Sequence, residues 1–273
     1  MAQLKCVLSG TNGFIGKALT ERLAQLKHTV VPINRELLSD SYKLRRFFIQ
    51  ENPDFIFHLA VYGNMASQQD EEEIFRANVI GTWNMLQASK DIKYKAFINI
   101  SSSSVGLEYE TFYSATKAAG ERLVRAFVNK YDKPIVNVRP FSVYGPGEAD
   151  FRFIPTVCRC IIKNEILHLD PMPKHDWIYI DDVINLIVAI LDNPKFSQGL
   201  IYEVGTAKQY SNGKIVSMLE KIAGKKVKHG VFQYGQRTFD NLHWKAKEAV
   251  PHIEIEEGLR KTYEYYKEKY EKN

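Results

Sequence analysis

The chain has 273 residues, 45% of them hydrophobic, and a formal net charge of +5 at pH 7. A chain of this length can bury a full core, either as one large domain or as two lobes that share a cleft. No apolar run reaches the roughly eighteen residues of a membrane span, and the first residues have the pattern of a core strand instead of an export signal. We therefore expect a cytoplasmic protein without a membrane partner.

The cysteines and the charge distribution argue against several other classes. Cys158-Arg159-Cys160 lacks the spacing of a redox pair or a zinc site, and the third cysteine is Cys6. We predict reduced, mostly buried thiols and no bound metal. The basic residues form no stripe with interleaved aromatic side chains, so a nucleic-acid partner is not expected. A mild positive charge would favour a phosphate-bearing substrate.

The first predicted elements are an apolar strand at residues 4–8 and a helical period that begins near Phe14. Gly10, Gly13 and Gly16 stand at their junction. This spacing permits a tight turn, close approach of a pyrophosphate and close packing of the helix on the strand. An ordinary glycine-rich turn is the simpler alternative, but it would not need the strand and the helix on either side. We predict a dinucleotide site with these cofactor-binding residues: Gly10, Thr11, Asn12, Gly13, Phe14, Ile15 and Gly16.

A phosphate loop of the nucleoside-triphosphatase type is the competing interpretation, because Gly16-Lys17 has the form of its ending. Five residues, however, separate Gly10 from Gly16 where that loop has four, and Ala18 stands where a Ser or Thr would bind magnesium. The dinucleotide interpretation is therefore preferred.

Further β-rich runs alternate with helical periods in the first half of the chain, at residues 29–33, 54–59, 95–101 and 135–139. Strands separated by helices imply crossover connections and a parallel sheet covered on both faces. We predict an α/β protein with a doubly wound, parallel-sheet Rossmann fold. Its dinucleotide-binding domain takes residues 1–150. Residues 151–273 mainly form a smaller mixed α/β substrate-binding lobe, with residues 175–205 returning to the Rossmann sheet.

Tyr113 and Lys117 are four residues apart and would share one face of a helix. The spacing alone decides little, because it recurs in three other pairs: Tyr210/Lys214, Tyr263/Lys267 and Tyr265/Lys269. Position distinguishes the first pair, since it follows a strand that ends in a run of serines at residues 101–104. Ligands of open α/β sheets bind beyond the carboxyl ends of strands, so only this pair is predicted to lie beside a cleft.

Further motifs stand in a specific order along the chain: His58-Leu59-Ala60, Asn78-Val79-Ile80-Gly81-Thr82, Arg139-Pro140, Tyr144-Gly145-Pro146-Gly147 and Asp176-Trp177-Ile178-Tyr179-Ile180-Asp181-Asp182. With the glycine turn, the serine run and the Tyr113/Lys117 pair, they make nearly the whole chain resemble the extended short-chain dehydrogenase/reductase family. The resemblance implies an NAD(P)-dependent oxidoreductase of the epimerase/dehydratase branch, with a nucleotide sugar as its small-molecule substrate.

The resemblance also implies catalytic roles beside the fourth strand. Tyr113 would be the proton shuttle, Lys117 would bind the nicotinamide ribose, and Ser102 would bond the reacting oxygen, with Ser103 as the fallback. The chemistry is consistent with these roles. A phenol with a pKa of about 10 is a poor base at pH 7 unless a neighbouring cation stabilises its phenolate.

The end of the second strand bears on the choice of coenzyme. An acidic residue there would bind the adenosine ribose of NAD, whereas this chain has Asn34 and Arg35, and a guanidinium suits a 2′-phosphate. We predict NADP, with NAD as the second choice; the alternative is that Arg35 is an ordinary surface residue. Leu59 and Ala60, at the end of the third strand, are also predicted to contact the coenzyme.

The resemblance implies several possible reactions, and the chain lacks the catalytic groups that two of them use. Family dehydratases place an Asp-Glu pair where this chain has Ser103 and Ser104, and the bifunctional epimerase-reductases place a cysteine beside the active serine. The short stretch 35–44 resembles the ketosugar reductases. We predict an NADPH-dependent reductase of a 4-keto sugar nucleotide. The alternatives are an NAD-dependent nucleotide-sugar C4 epimerase and a non-catalytic NADP-sensing protein of the same fold.

The substrate side departs from the family pattern where relatives usually contact the nucleotide diphosphate. Ser142 replaces an Asn, His175 replaces an Arg and Gln233 replaces a second Arg. The missing positive charge would come from one of three cations, Arg152, Lys174 or Arg237; the alternative is a substrate that lacks a nucleotide. We predict substrate contacts at these residues: Ser103, Ser142, Arg152, His175 and Arg237.

The helices expected over residues 81–89 and 114–131 resemble the pair through which family members often dimerise. Their small residues would permit close approach, although they equally suit packing on the sheet. The resemblance therefore implies a homodimer.

Overall fold

The structure is a computed structural model that describes residues 3–65, 67–107, 110–192, 199–231, 245–247 and 249–272. The chain divides into two compact units. The first is formed by Met1–Pro140 with Ile184–Glu203, and the second by Phe141–Val183 with Val204–Asn273. Within the described ranges, no helix is both long and apolar enough to cross a lipid bilayer.

Strands and helices alternate along the first half of the chain: β1 (Lys5–Ser9), α1 (Phe14–Gln25), β2 (Thr29–Ile33), α2 (Arg35–Ser39), α3 (Ser41–Glu51), β3 (Phe55–His58), α4 (Glu71–Phe75), α5 (Gly81–Ser89), β4 (Ala96–Ile100), α6 (Phe112–Tyr131) and β5 (Ile135–Pro140). A π-helical turn, Arg76–Ile80, joins α4 to α5, and a 3-10 turn, Ser103–Gly106, follows β4.

Shorter strands dominate the second half: β6 (Ser142–Tyr144), α7 (Phe153–Lys163), β7 (Ile166–Leu167), β8 (Lys174–His175), β9 (Trp177–Tyr179), α8 (Ile180–Asp192), β10 (Ile201–Val204), β11 (Tyr210–Ser211), α9 (Asn212–Ala223), β12 (Lys228–His229) and α10 (Ile255–Glu271).

The main sheet of the described chain has six strands in the order β10-β5-β4-β3-β1-β2. The pairs β1/β2, β1/β3, β3/β4 and β4/β5 are parallel. The chain passes from β2 across β1 to β3, so a topological switch point lies between β1 and β3. In open α/β sheets, ligands bind at such a point beyond the carboxyl ends of the strands.

This arrangement confirms the predicted doubly wound α/β fold. The five strands predicted in the first half agree with β1 to β5 to within one residue at each end. They were readable because β3 and β4 are buried along their whole length, as strands of a parallel sheet are when helices cover both faces. Such strands appear in the sequence as short continuous apolar runs.

One large core lies between the sheet and helices α3, α5 and α6. Its fully buried members come from the strands and from all three helices: Val7, Leu44, Phe48, Ile56, Met85, Leu86, Phe97, Val124 and Ile135. Burying large side chains of this kind contributes about 1.5–3 kcal/mol each relative to exposure. The core therefore holds the strand ends, and the loops that follow them, on a rigid support.

The second unit combines small strand pairs with helices α7, α9 and α10. β6 pairs in parallel with β9, β8 pairs antiparallel with β11, and β7 pairs in parallel with β12. Buried Asp176, next to β9, accepts hydrogen bonds from the Thr206 N–H and hydroxyl at 2.7 Å, and from the Ala207 and Ala246 N–H groups at 3.0 Å. The motif that begins at Asp176 thus joins separate segments of the second unit.

The three cysteines, Cys6, Cys158 and Cys160, are buried and free. Burial raises the pKa of Cys6 to about 12 and also raises the pKa values of the other two thiols. The thiols are therefore neutral at pH 7, and neutral thiols are poor nucleophiles.

Candidate active site

The turn after β1 brings α1 close to the ends of β1 and β3. Gly10 has a φ of +82°, and a Cβ at this position would lie 2.7 Å from the backbone nitrogen of Ala60. A Cβ at Gly16 would collide with the carbonyl oxygen of Gly10. Both positions require glycine, the first for its backbone conformation and the second for the packing of α1 on the turn.

Gly13 differs from the other two glycines because a Cβ there would make a tight contact with the protein and not a collision. The nearest atom to that Cβ would be the Gly10 carbonyl oxygen at 3.3 Å, and the φ of Gly13 is −76°. In the described chain no side chain caps the start of α1, and its first turn holds no acidic residue. The N–H groups of that turn are therefore suited to an anionic ligand, and Thr11, Asn12, Phe14 and Ile15 complete the same turn.

Leu59 and Ala60 follow β3 and lie beside the glycine turn. The Leu59 N–H donates to the carbonyl of Ser9 at 3.1 Å, and the Ala60 N–H donates to the Ser9 hydroxyl at 3.3 Å. With the close approach of Gly10 to Ala60, these bonds bring the predicted cofactor residues of two neighbouring strands together.

His58 is a buried link between β1, β3 and the helix that follows. Its Nδ1 lies 2.7 Å from the Ser9 hydroxyl and its Nε2 lies 3.1 Å from the Thr82 hydroxyl. Burial, reinforced by the charge of Lys117, lowers the pKa of His58 to about 3. The ring is neutral at pH 7 and serves as a hydrogen-bonding link.

Asn78 lies in the π-helical turn and holds the segment that follows β3. Its Oδ1 accepts from the Tyr62 N–H at 3.0 Å, and its Nδ2 donates to the Tyr62 carbonyl at 2.9 Å and to the Thr116 hydroxyl on α6 at 3.0 Å. One side chain therefore connects the loop after β3 to α6. Such π-turns within α-helices are frequent at functional sites.

The serine run begins where β4 ends. Ser102 precedes the 3-10 turn, and its hydroxyl oxygen accepts from the Ser104 N–H at 3.1 Å and from the Ser104 hydroxyl at 2.8 Å. Ser102 is half-buried, whereas Ser101 and Ser103 are buried. Of the two serines considered for the reacting oxygen, Ser102 is thus the more accessible.

Tyr113 lies in the first turn of α6, whose start is fixed by a capping box. The Thr111 hydroxyl oxygen accepts from the Ser114 N–H at 3.1 Å, and the Ser114 hydroxyl oxygen accepts from the Thr111 N–H at 2.7 Å. This reciprocal pair satisfies two of the exposed donors of a helix start. The backbone on both sides of Tyr113 is therefore well fixed.

Lys117 follows one helical turn later and is only 8% exposed. Its Nζ donates to the Ile100 carbonyl at 2.5 Å. Ile100 is the last residue of β4, two residues before Ser102, so this bond anchors α6 at the start of the serine run. Burial lowers the pKa of Lys117 to about 8, and the charge of Glu121 opposes this shift. The ammonium form still predominates at pH 7.

Glu121 belongs to a buried ionic network that the sequence analysis missed. Arg139 donates to Glu121 through Nε at 3.1 Å and Nη2 at 2.7 Å, and to Glu203 through Nη1 at 3.4 Å. The three side chains are 8–14% exposed. Arg139 was visible as part of a motif, but its partners lie 18 and 64 residues away in the chain. No local pattern in the sequence indicates such pairs.

Asn34 and Arg35 lie at the carboxyl end of β2, as predicted. The Asn34 Oδ1 accepts from the Leu37 N–H at 2.8 Å and so caps α2. The Arg35 guanidinium is exposed, lies 3.2 Å from Glu73 Oε1, and stands over the Tyr62 ring at 5.7 Å from its centroid. The carboxylate partner of Arg35 was not predicted from the sequence.

The predicted substrate residues of the second unit form one clear contact. Ser142 Oγ lies 3.3 Å from Nδ1 of His175, and burial lowers the pKa of His175 to about 4, so this pair is uncharged at pH 7. Arg152 precedes α7, with its guanidinium 5.9 Å from the centre of the Phe151 ring. Arg237 lies outside the described residues.

The predicted residues are thus gathered at several strand ends of the first unit and in one pair of the second. The coenzyme candidates follow β1, β2 and β3, and Ser102 and Lys117 meet the end of β4. Their chemical roles stay predictions.

Comparison with known proteins identifies the family. The model of the NAD dependent epimerase/dehydratase family matches residues 6–205. CDP-abequose synthase of Salmonella typhimurium is 30% identical over 229 residues, which cover 73% of this chain and 74% of that protein. UDP-glucuronate 4-epimerase of Thermodesulfobacterium geofontis is 29% identical over 84% of this chain and 77% of its own length.

Among solved structures, the UDP-glucuronic acid 4-epimerase of Bacillus cereus, in complex with UDP-glucuronic acid and NAD, gives a TM-score of 0.81. It is 26% identical, and the match covers 98% of this chain and 100% of that one. The matches, which cover most of the chain, and the geometry at the strand ends indicate the same family. The chain belongs to the NAD-dependent epimerase/dehydratase family and is an enzyme of the extended short-chain dehydrogenase/reductase type that uses a nicotinamide coenzyme.

Proposed function

We propose that this enzyme is an NADPH-dependent reductase of a 4-keto sugar nucleotide, with Ser102, Tyr113 and Lys117 as its catalytic residues. The observation that carries the proposal is the bond from Lys117 Nζ to the Ile100 carbonyl. It holds a buried ammonium one helical turn from Tyr113 and at the base of the serine turn. A cation, a phenol and a hydroxyl at the carboxyl end of a parallel strand suit proton transfer to a carbonyl oxygen.

The glycine turn fits the diphosphate of a dinucleotide. The uncapped start of α1 offers N–H donors, and no protein atom would lie closer than 3.3 Å to a Cβ at Gly13. Gly10 to Gly16 would hold the diphosphate, Leu59 and Ala60 would line the site, and Lys117 would bind the nicotinamide ribose. When bound, the reduced nicotinamide supplies a hydride to the carbonyl carbon.

Tyr113 would give its phenolic proton to the carbonyl oxygen, so that hydride and proton together convert C=O into CH–OH. The Ser102 hydroxyl would donate a hydrogen bond to the same oxygen and orient it. The Lys117 ammonium would stabilise the phenolate left on Tyr113, since a nearby positive charge favours an anion.

The coenzyme proposal depends on the end of β2. The position where a carboxylate would bind the ribose of NAD carries neutral Asn34, whose Oδ1 already caps α2. The next residue, Arg35, offers an exposed guanidinium, which forms paired hydrogen bonds with phosphate oxygens. Both features favour NADPH over NADH.

The substrate class is drawn from the relatives, whose names contain CDP-abequose and UDP-glucuronate. Ser142 and His175 form an uncharged pair and would donate hydrogen bonds to the sugar nucleotide. Arg152 and Arg237 would neutralise its diphosphate. Ser103 would contact the sugar.

An NAD-dependent nucleotide-sugar C4 epimerase is the second candidate. The observation that favours it is the presence of UDP-glucuronate 4-epimerases among the relatives and the solved structures. An epimerase keeps its coenzyme through the cycle, whereas a reductase exchanges it at each turnover. A non-catalytic NADP-sensing protein of this fold is disfavoured, because it could dispense with Tyr113, Lys117 and Ser102, and the chain has all three.

One experiment separates the three candidates. Nucleotide released from the denatured protein is identified by mass spectrometry, and the native protein is mixed with NADPH and a panel of 4-keto and 4-hydroxy sugar nucleotides. Stoichiometric loss of reduced-nicotinamide absorbance with a 4-keto sugar supports the reductase. Tightly held NAD with interconversion of C4 epimers supports the epimerase. Coenzyme binding without either reaction supports the sensor.

Tyr113→Phe tests the proton donor. The variant is expected to keep its affinity for NADPH and to lose about 10²- to 10⁴-fold in kcat, the usual contribution of a general acid. Tyr265→Phe is the matched control, because Tyr265 is exposed and belongs to a second Tyr-x-x-x-Lys pair on α10. A Tyr113→Phe enzyme with undiminished kcat would contradict the assignment.

We also propose a homodimer formed through α5 and α6. Its support is a group of large apolar side chains that are exposed on α4, the π-helical turn and α5: Phe75, Ile80 and Trp83. Large apolar side chains left exposed on one segment of the surface are typical of interaction sites.

A further inference from the structure

The contact between Arg35 and Glu73 joins two segments that are distant in sequence, beyond the carboxyl ends of β2 and β3. Arg35 is the first residue of α2, and Glu73 lies in the first turn of α4. Their side chains approach to 3.2 Å, and the Arg35 guanidinium also stands over the Tyr62 ring. Arg35 therefore has two partners on the face where the proposed coenzyme would place its adenosine ribose.

Both partners are held in place by the rest of the first unit. The backbone of Tyr62 is clamped by Asn78 through two hydrogen bonds of 3.0 and 2.9 Å. Glu73 is fixed through its own N–H, which donates to the Asp70 carboxylate at 3.0 Å. Its side chain is 30% exposed, against 75% for Arg35. The carboxylate is thus the more buried member of this ion pair, on a helix start that is fixed by its own cap.

A carboxylate and a phosphate compete for the same guanidinium donors. Arginine binds either anion through its planar fork, so a 2′-phosphate can gain the Arg35 donors that Glu73 engages only by weakening that pair. The phosphate also brings a charge near −2 close to the Glu73 carboxylate, and like charges at short range disfavour binding. NADH carries only a hydroxyl at this position and meets neither obstacle.

We propose that Glu73 is a specificity-determining residue that limits the preference of this enzyme for NADPH over NADH, because its carboxylate competes with the 2′-phosphate for Arg35. The inference rests on the proposed role of Arg35 in coenzyme binding. It adds that the discrimination is set by the balance between Arg35 and Glu73, and that the opposing residue comes from α4 and not from the β2 segment.

Equilibrium titrations of NADPH and NADH test the inference without any substrate. Wild type is compared with Glu73→Gln, Arg35→Gln and the double variant, and thermal unfolding checks that each is folded. Glu72→Gln is the matched control, since it removes the same charge from the adjacent residue, which pairs with Arg76 at 2.5 Å. Glu73→Ala repeats the test with a second side chain.

Glu73→Gln is expected to tighten NADPH about two- to fivefold, the range that an exposed ion pair is worth, and to change NADH by less than about twofold. Most of the gain should be lost in the Arg35→Gln background, where only the direct repulsion between Glu73 and the phosphate remains, and Glu72→Gln should change the NADPH/NADH affinity ratio less than Glu73→Gln does. An unchanged ratio in Glu73→Gln, an equal change in Glu72→Gln, or a gain that is undiminished in Arg35→Gln would overturn the inference.

The test also separates this inference from the proposed coenzyme. If wild type binds NADH more tightly than NADPH, the proposed coenzyme is wrong. Even then, the change in the NADPH/NADH affinity ratio from wild type to Glu73→Gln decides the role of Glu73. This change measures the competition for Arg35, and it does not depend on which coenzyme wild type prefers.

Discussion

Lys117 is a buried, charged residue with a proposed catalytic role. Its ammonium is removed from water and bonded to a single carbonyl, that of Ile100. Desolvation disfavours the charged form, and the resulting pKa of about 8 lies close enough to neutrality that small electrostatic changes alter the fraction of ammonium. The opposing influence comes from Glu121, which Arg139 holds in place through two hydrogen bonds.

Glu121→Gln is expected to shift the pH profile of kcat/KM to lower pH. The ammonium of Lys117 is present below its pKa and lost above it, and the Glu121 charge raises that pKa. Removing the charge therefore lowers the pKa below about 8, and activity declines earlier as pH rises. The profile is measured with the 4-keto substrate that the panel identifies.

Glu203→Gln is the control for this prediction, because it also removes a carboxylate from Arg139 but does not act on the pKa of Lys117. Both variants are expected to lose stability, since each weakens a buried ionic network. Only Glu121→Gln should move the profile. Equal shifts in the two variants would show that the effect comes from Arg139 or from general loosening.

In the β1–α1 connection, Gly16 and Gly13 meet two different requirements, one for packing and one for binding. Gly16 is required by packing within the protein, because a Cβ there would collide with the Gly10 carbonyl oxygen. A Cβ at Gly13 would lie 3.3 Å from the same oxygen, a tight contact that a shift of a few tenths of an ångström would relieve, so we propose that its smallness mainly serves the diphosphate. The same motif thus contains one position for folding and one for binding.

Gly16→Ala should therefore mainly reduce stability, whereas Gly13→Ala should mainly reduce coenzyme affinity. Gly16→Ala is expected to cost about 3 kcal/mol or more of unfolding free energy, as backbone collisions in packed regions do. Gly13→Ala should cost less than about 1 kcal/mol but weaken NADPH binding about tenfold or more, because its methyl group lies where the anion approaches. Urea unfolding and coenzyme titration measure the two effects.

Gly120→Ala on α6 provides the reference for these variants. Its Cβ would have no neighbour closer than 3.6 Å, and alanine in a helix is favoured over glycine by about 0.5–1 kcal/mol. Its coenzyme affinity should equal that of wild type. Loss of stability in Gly13→Ala comparable to that of Gly16→Ala would contradict the division of roles.

The elements also show what the sequence can and cannot reveal. β1 to β5 and α1 were readable because apolar runs and helical periods are local signals. The π-helical turn at Arg76–Ile80 was not, since its extra residue leaves no distinct pattern. The two-residue strands β7, β8, β11 and β12 depend on pairing partners far along the chain, as His175 with Tyr210 illustrates.

For the whole molecule, the apolar side chains on α4, the π-helical turn and α5 bear on assembly. Trp83→Lys is expected to convert the proposed homodimer into a monomer, because it places a charge at a buried apolar interface. Multi-angle light scattering at micromolar concentration measures the mass. Tyr42→Lys on α3 is the control, since Tyr42 is also a large exposed side chain, at 70% against 45% for Trp83, but lies on a different helix. A monomeric wild type, or an unaltered mass in Trp83→Lys, would contradict the proposal.

Like the fold, the candidate site has parts that the sequence predicted and parts that it did not. The positions of Gly10, the serine run and Lys117 beyond strand ends followed from strand order and motif spacing, whereas the choice of Ser102 within the run came from the family resemblance. The ion pair of Arg35 with Glu73 and the network around Arg139 did not, because long polar side chains meet only after the sheet and helices have assembled. The pairing of charged side chains around the candidate site is therefore the part of such an enzyme that sequence motifs reveal least.

Because of the π-helical turn, the number of residues between α4 and α5 is structurally important. A π-turn closes its hydrogen bonds over five residues where an α-turn needs four, and each residue of an α-helix advances by about 100° around the axis. Loss of one residue between α4 and α5 would restore α geometry with the two helices nearly in phase, because five residues of a π-turn and four of an α-turn each complete about one turn. The change would instead remove the local distortion at Asn78, whose side chain connects the loop after β3 to α6. A one-residue deletion is thus expected to leave both helices packed on the core and to release the loop after β3.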